Sequence, residues 1–328
     1  MEYRDLGRTG VKVSPLCLGT MNFGSRTPED EAIRMIDRAI EAGLNLTDTA
    51  NLYGDANEGV GRTEDIIGKA LSWNGKRNRI VLATKVFFPM DPGDPNSSGL
   101  SRRHIVAECE ASLRRLRTDY IDLYQLHRPA PDIPIDETLC ALDDLIRAGK
   151  VRYIGTSGFP AWQIVEALWT SDKLRLNRLV TEQPLYNMTH RSIERELVPM
   201  ALRYGIAILP YSPLGGGILT GKYRRGQPYP GGSRLAFEKW APYWDDLNDH
   251  VYDLLDLLIE ISAGKGCTIS QLALAWAMAQ PGITSVIIGP RTQQQLEDNL
   301  GVLDVVITDE DMKRIDAISK PRGTLISN

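Results

Sequence analysis

The sequence predicts an α/β fold in which eight parallel strands close into a (β/α)8 TIM barrel, with an N-terminal β-hairpin and additional C-terminal helices. Three observations carry this. Short apolar runs rich in β-formers recur along the chain. Helical stretches with readable ends fill the intervals between them. Most intervals hold one crossover helix and two loops, which is what parallel neighbours require.

The elements follow in order. Glu2–Leu6 and Val11–Val13 flank Gly7-Arg8-Thr9-Gly10 and read as a hairpin. The strand runs are Leu16–Gly19, Leu44–Asp48, Ile80–Lys85 and Ile121–His127, then Tyr153–Ser157, Leu179–Gln183, Ile206–Tyr211 and Ser285–Gly289. The interval before the last run is more than twice the others and must hold extra elements. Thr27-Pro28-Glu29-Asp30 offers an N-cap, a proline at the first helical position and early acids to a helix over Glu31–Ala42, which Gly43 stops. Ser101 caps Arg102–Leu116, while helices over Pro134–Ala148 and Ser192–Tyr204 stop at Gly149 and Gly205. Thr292–Leu300 opens a helix just after the eighth strand, and Thr308 opens another that runs to about Ser319. The rival topology, a doubly wound open sheet, usually carries GxGxxG after its first strand, and Gly19-Thr20-Met21-Asn22-Phe23-Gly24 lacks that spacing. No linker divides the chain, so residues 1–328 read as one barrel domain. Residues 223–244, rich in Pro, Gly and aromatics, read as one long functional loop.

Composition excludes other classes. Hydrophobic residues make up 42% and charged residues 24% of the 328, with a net charge of −4. That is ordinary globular composition without a broad basic surface, so no nucleic-acid partner is expected. The start, Met1–Asp5, has no apolar stretch, and Leu254–Ile261 and Leu272–Ala279 are interrupted or too short to cross a bilayer. Cys17, Cys109, Cys140 and Cys267 are scattered without a CxxC pair, which fits a reducing compartment. A cytoplasmic protein without membrane association is expected. The oligomeric state is not legible.

Function in a βα barrel collects at the C-terminal strand ends. Those ends carry Asp48, Lys85 and His127 on three consecutive runs, and Tyr53 follows Asp48 in the next loop. Alone, each has a plain structural reading as a rim charge, a core histidine or a turn tyrosine. Their convergence on one mouth carries the functional reading. A phenol titrates near 10, too high for easy proton exchange at neutral pH. An adjacent ammonium favours the phenolate and lowers its pKa, a carboxylate holds the ammonium in place, and an imidazole hydrogen-bonds the reacting oxygen or tunes the phenol. Together they form a general acid and base for a carbonyl or an alcohol. The four histidines form no HxxxH or HxH, so no metal site is expected.

With these residues in place, the chain resembles the aldo-keto reductase family along essentially its whole length. Asp48, Tyr53, Lys85 and His127 match the family's catalytic tetrad in order and spacing. The surrounding strings match as well: Leu18-Gly19-Thr20, Asp48-Thr49-Ala50, Tyr53-Gly54 with Glu58, Ala83-Thr84-Lys85 and Gly149-Lys150-Val151-Arg152-Tyr153-Ile154-Gly155. Tyr211-Ser212-Pro213-Leu214-Gly215-Gly216-Gly217 and Thr220-Gly221-Lys222-Tyr223 resemble the bacterial and potassium-channel β-subunit branches. The resemblance implies NADP(H) bound in extended form. It places Gly19, Thr20, Met21 and Asp48 beside the nicotinamide ribose. Ser157, Gly158 and Gln183 lie at the carboxamide, and Tyr211 stacks on the ring. Ser212, Pro213, Leu214, Gly216 and Lys222 follow the pyrophosphate, with Arg234 over the cofactor. Gly289, Arg291, Gln295, Asp298 and Asn299 hold the adenosine end. Gly215-Gly216-Gly217 independently lets backbone N–H groups approach phosphate. Arg291, Lys222 and Arg234 favour a 2′-phosphate and hence NADP(H) over NAD(H).

Two departures stand out. Many relatives have Ser-Asn where this chain has Ser157-Gly158, which removes one amide contact, and Pro290 removes a donor before Arg291. The implied reaction reduces a small-molecule aldehyde or ketone reversibly, with Tyr53 as proton donor. Phe23, Tyr53, Phe87, Phe88, His127 and Arg128 form the expected substrate pocket, and Arg128 either attracts an anionic group or faces solvent. Tyr229, Phe237, Trp240, Tyr243 and Trp244 are further candidates, and the loop Phe87–Leu100 is expected to cover the site. A nucleotide-bound regulatory subunit with slow turnover is the alternative. A lyase using Lys85 as a Schiff base is the third reading.

Overall fold

A computed structural model describes residues 1–54, 59–236 and 247–319. A hairpin of β1 (Arg4–Asp5) and β2 (Lys12–Val13) pairs Arg4 with Val13. The barrel strands are β3 (Leu16–Gly19), β4 (Leu46–Asp48), β5 (Val81–Val86) and β6 (Ile121–Leu126). They continue with β7 (Val151–Ser157), β8 (Leu179–Gln183), β9 (Ala207–Ile208) and β10 (Val286–Ile288). All neighbours are parallel; β3 to β9 pair in chain order and β10 returns to β3. The last seam is closed by the Thr284 N–H donating to the Ile208 carbonyl at 2.9 Å and the Ile287 N–H to the Pro210 carbonyl at 3.0 Å. The expected barrel is therefore the observed one.

Helices cover it. They are α1 (Glu29–Glu41), α2 (Arg62–Leu71), α3 (Arg102–Leu116), α4 (Ile135–Arg147), α5 (Ala161–Leu174) and α6 (Leu197–Tyr204). The long last interval holds α7 (Asp249–Lys265) and α8 (Ile269–Ala279), and α9 (Gln293–Leu300) and α10 (Asp309–Ser319) follow β10. In α1 the buried residues Ala32, Met35, Ile36, Ala39 and Ile40 recur at helical spacing, giving one stripe against the sheet.

Two local expectations are corrected. Pro28, not Thr27, is the N-cap of α1, because the Thr27 hydroxyl donates to the Arg291 carbonyl at 2.9 Å. The helix expected over Ser192–Tyr204 divides into a 3-10 turn at Ser192–Glu194 and α6. Pro199 has no N–H to continue a helical ladder, but it fits the first turn of α6. Ser101 caps α3 as expected, accepting from the His104 N–H at 3.3 Å. No helix of the described residues is long and apolar enough to cross a membrane.

The barrel interior decides where chemistry can lie. Cys17, Leu46, Ala83, Leu123, Ala207 and Ile287 form an inner cluster, and Leu6 and Val13 of the hairpin plug it from below. Strand side chains alternate, so the residues two places on face the same way. Above Leu46 comes Asp48, above Ala83 comes Lys85, and above Leu123 come Gln125 and His127. In β8 the register shifts: Leu179 pairs with Ile154 and Thr181 with Gly155, leaving Val180 as an extra residue. That bulge turns Gln183, not Glu182, into the mouth.

The plug gives a stability prediction. Leu6 is fully buried in the inner cluster. Leu6→Ala is expected to lower stability by about 2–5 kcal/mol, read from the urea unfolding midpoint. Lys12→Ala, which removes an exposed ion pair with Asp5, should move that midpoint little. Equal effects would show that the hairpin does not seal the barrel.

Candidate active site

At the mouth, Lys85 is fully buried and its Nζ donates to Asp48 Oδ2 at 2.5 Å, the Thr49 carbonyl at 2.8 Å and Tyr53 Oη at 3.4 Å. The other Asp48 oxygen, Oδ1, accepts from Gln125 Nε2 at 3.0 Å and Gln183 Nε2 at 2.9 Å. The His127 ring meets the Tyr53 ring edge-on at 5.9 Å and the Phe88 ring at 5.0 Å. The structure therefore brings together the four residues that the strand ends suggested, with Gln125 added.

Burial and charge compete at each group. Burial pulls the Lys85 ammonium down, but Asp48 and Tyr53 outweigh it and its pKa is raised. Burial raises the Tyr53 phenol above its ordinary value even though Lys85 opposes that. The expectation that Lys85 leaves Tyr53 with a lowered pKa is thus corrected: the ammonium acts in that direction, and desolvation is larger. Burial, with Lys85 and Arg128 nearby, pushes His127 down to about 2, so the ring is neutral. Its Nδ1 is buried without a partner. An orphaned N–H is rarer than an orphaned acceptor, which favours the tautomer with the proton on Nε2.

A buried polar chain holds the Tyr53 loop. The Asn51 N–H donates to the Lys85 carbonyl at 3.2 Å, and its side chain donates to Glu108 at 3.0 Å. Arg115 bridges Glu108 at 3.4 Å and Glu64 at 2.6 Å, and Thr84 of β5 donates to Glu64 at 2.5 Å. The Thr63 N–H closes the loop on the Tyr53 carbonyl at 3.2 Å. Sequence reasoning missed this network and Gln125. A polar residue at an inward place of an apolar run was the available signal for Gln125; acids on the buried stripes of α2 and α3 were the signal for the rest.

A cavity of about 690 Å3 runs from the tetrad to α9. Of the expected cofactor residues, Gly19, Thr20, Met21 and Asp48 line its near limb, with Ser157, Gln183 and Tyr211. Ser212, Pro213, Leu214, Gly216 and Lys222 line the middle. Gly289, Arg291, Gln295, Asp298 and Asn299 line the far limb. Tyr53, Phe88, His127 and Arg128 form the tetrad end, where Leu52 was not anticipated. Four expected residues do not line it. Tyr229 is exposed and meets the Tyr223 ring edge-on at 5.6 Å. Phe23 is fully buried in the core, because its backbone bridges to Thr27 and turns the ring inward. Phe87 stands behind Phe88, edge-on at 5.2 Å. Gly158 lies beneath Arg128: a Cβ there would meet Arg128 Nη1 at 2.9 Å. Of the loop after β5, Phe88 is the side chain that reaches the cavity. Glu58, Phe237, Trp240, Tyr243, Trp244 and the Arg234 side chain lie outside the described residues.

The donors and acceptors of the cavity suit a dinucleotide. The Ser157 hydroxyl donates to the Gln183 carbonyl at 2.9 Å, and Asp48, which only accepts, fixes Gln183 with its NH2 inward. Both residues then present acceptors, which suit an amide NH2. Backbone φ is left-handed at Ser212 (54°), Gly215 (55°), Gly216 (63°) and Gly217 (105°), curling the chain into a concave turn of the kind that holds phosphate. Asn187, fully buried and unanticipated, anchors this turn by donating to the Ser212 carbonyl at 2.9 Å. Lys222 folds over Gly217, where any Cβ would lie 2.4 Å from Nζ. Asn22 fixes the Gly289 carbonyl at 3.0 Å, and Thr292 caps α9. The Arg291 guanidinium has no protein partner among the described residues, whereas Asp298 Oδ1 accepts from Thr268 at 3.0 Å.

Comparison with known proteins agrees with this architecture. The model of the Aldo/keto reductase family matches residues 15–320. The chain is 41% identical over 322 residues to the uncharacterized oxidoreductase YrpG of Bacillus subtilis, covering 97% of this chain and 96% of that one. It is 39% identical over 310 residues to a probable voltage-gated potassium channel subunit beta of Arabidopsis thaliana, covering 93% and 92%. It is 33% identical over 340 residues to protein tas of Escherichia coli, covering 97% of each.

The amide pair on Asp48 can be tested directly. Gln125→Leu leaves Oδ1 one donor short and Gln183 without its 3.3 Å partner, Gln125 Oε1. A loss of about 1–3 kcal/mol in urea unfolding is expected. Gln125→Glu should cost more, since it sets a second carboxylate against Asp48. A neutral Gln125→Glu would refute the arrangement.

Proposed function

Since the chain belongs to the aldo/keto reductase family, and is on that ground an oxidoreductase, we propose that it is an NADPH-dependent reductase of aldehydes or ketones, acting reversibly as one cytoplasmic barrel domain. The observation that carries this reading is the Tyr53 phenol, half-buried and within 3.4 Å of the Lys85 ammonium at the tetrad end of a cavity of about 690 Å3. When bound, the reduced nicotinamide supplies the hydride.

The protein's part is binding, orientation and the proton. Tyr53 donates its proton to the carbonyl oxygen, and Lys85 stabilises the phenolate left behind. Asp48, held by Gln125 and Gln183, keeps Lys85 charged without letting it swing away. His127 Nε2 donates a second hydrogen bond to the same oxygen and, being neutral, does not compete as an acid. Phe88 and Leu52 give an apolar wall that excludes water. The carboxamide is read at Ser157 and Gln183, the ring at Tyr211, the pyrophosphate at the 212–217 turn with Lys222, and the 2′-phosphate at Arg291. This last assignment favours NADP(H) over NAD(H). The relative named as a channel subunit beta supports a second reading, a nucleotide-holding regulatory subunit. Slow turnover with cofactor retained through purification would favour it.

Absorbance of NADPH consumed with an aryl aldehyde tests the reading. Tyr53→Phe should lower kcat about 10²–10⁴-fold while NADPH still binds; near-normal turnover would remove Tyr53 as the acid. The pH profile follows from the raised phenol pKa. Reduction needs the protonated phenol, so its rate should hold through neutral pH and fall only on the alkaline side. Alcohol oxidation needs the phenolate and should rise with pH. With His127 near 2, no limb should appear at the usual histidine value. Arg291→Ala should weaken NADPH about tenfold more than NADH in equilibrium binding. An equal loss for both would place 2′-phosphate recognition elsewhere.

A further inference from the structure

Arg128 stands beside the reacting groups with no assigned task in the acid–base set. It follows His127 at the end of β6 and lines the catalytic end of the cavity with Tyr53, Phe88 and His127. Its charge is felt at the Tyr53 phenol and at the His127 ring. Its guanidinium makes no ion pair or hydrogen bond among the described residues. The other groups at this end are accounted for. Lys85 is paired with Asp48, and His127 is neutral.

The charge of Arg128 is also felt at Glu182, but the two make no ion pair. Glu182 is fully buried behind Gly158, and its Oε1 accepts from the Phe159 N–H at 3.1 Å. Burial raises its pKa to about 7, so much of its charge is absent at neutral pH. Gly158 is what gives the guanidinium its place. With φ at +70° and no side chain, it leaves bare backbone where a Cβ would press on Nη1 at 2.9 Å. An arginine held half-buried and unpaired, lining the same cavity as Tyr53 and His127, is a ready fork for an anion.

We infer that the substrate is a carbonyl compound carrying a carboxylate or similar anionic group, which Arg128 binds over Gly158 while Tyr53 and His127 take the carbonyl oxygen. The apolar body between the two polar ends lies against Phe88 and Leu52. This inference rests on the reductase reading of the site and adds the substrate class to it.

The test compares 4-carboxybenzaldehyde with its methyl ester, using NADPH and kcat/KM. The acid should be preferred about tenfold or more, the worth of a charge-assisted pair. Arg128→Met should collapse that preference, and Arg128→Lys should keep part of it. Gly158→Asn, which crowds the guanidinium, should lower it without touching Arg128. A wild-type protein that reduces both aldehydes alike overturns the inference and leaves the reductase reading standing. So does Arg128→Met if it lowers both reactions in proportion, the pattern of a residue that holds cofactor. If neither aldehyde is reduced, the reductase reading falls, and calorimetric titration with benzoate decides the anion site without turnover. Benzoate binding lost in Arg128→Met upholds it; absent or Arg128-independent binding overturns it.

Discussion

The structure turns on a buried ion pair. Lys85 and Asp48 lie 2.5 Å apart on neighbouring strands, inside the barrel mouth, with Lys85 wholly shielded from water. Taking two such charges out of water costs roughly several kcal/mol per ion, and attraction offsets this only when the remaining valences are filled. Here they are filled. Two glutamine amides serve Asp48, and the Thr49 carbonyl and the Tyr53 hydroxyl serve Lys85. Each partner that completes the pair is thereby fixed in place. Gln183 cannot turn its NH2 toward the cavity, Tyr53 is held facing it, and His127, desolvated and beside a buried ammonium, stays neutral.

This also explains what could be read without coordinates. Asp48, Lys85 and His127 are legible because a barrel strand has a two-residue period and a functional end, so a polar residue closing an apolar run is conspicuous. Gln125 obeys the same rule, but in Tyr124-Gln125-Leu126-His127 it is overshadowed by the histidine two places on. Asn51, Glu108, Arg115 and Glu64 come from a loop and two helices, and no local pattern links residues whose partners are dozens of positions away. Thr27 shows the opposite failure. Its local pattern, Thr-Pro-Glu-Asp, is a sound cap signature, yet its hydroxyl is claimed by a carbonyl 264 residues on. The mouth rims are stitched this way throughout, with Asn22 on Gly289 and Asn187 on Ser212. A sequence therefore shows the strand ends more readily than the loops that brace them.

Gln183 shows how a backbone irregularity selects a functional residue. Strict alternation from Val180, which faces inward, would aim Glu182 into the mouth, beside Asp48. Two carboxylates there would compete for Lys85 and raise one another's pKa. The extra residue in β8 reverses the phase, presents an amide to Asp48 and leaves Glu182 outside the barrel mouth. Glu182 then organises the loop after β7 through the Phe159 N–H. One bulge thus settles both the electrostatics of the acid–base set and the position of Gly158.

The same accounting bears on whether the site is built for chemistry or for holding a nucleotide. In the proposed reading a nucleotide uses the far limb: the left-handed turn at 212–217, Lys222, Arg291 and the capped α9. None of it requires a buried lysine. A barrel that only retained a nucleotide would be more stable with apolar residues at 48 and 85, because well-packed apolar pairs commonly match or exceed buried ion pairs. The chain instead maintains the ion pair, two buried glutamines and the Asn51–Glu108–Arg115–Glu64 chain beneath it. All of them converge on the orientation and protonation of one phenol. A phenol so held is suited to passing a proton to an oxygen in the cavity, so the energetic cost of the mouth supports the proposed catalysis over retention. That cavity's one unpaired cation beside the phenol, among the described residues, is Arg128.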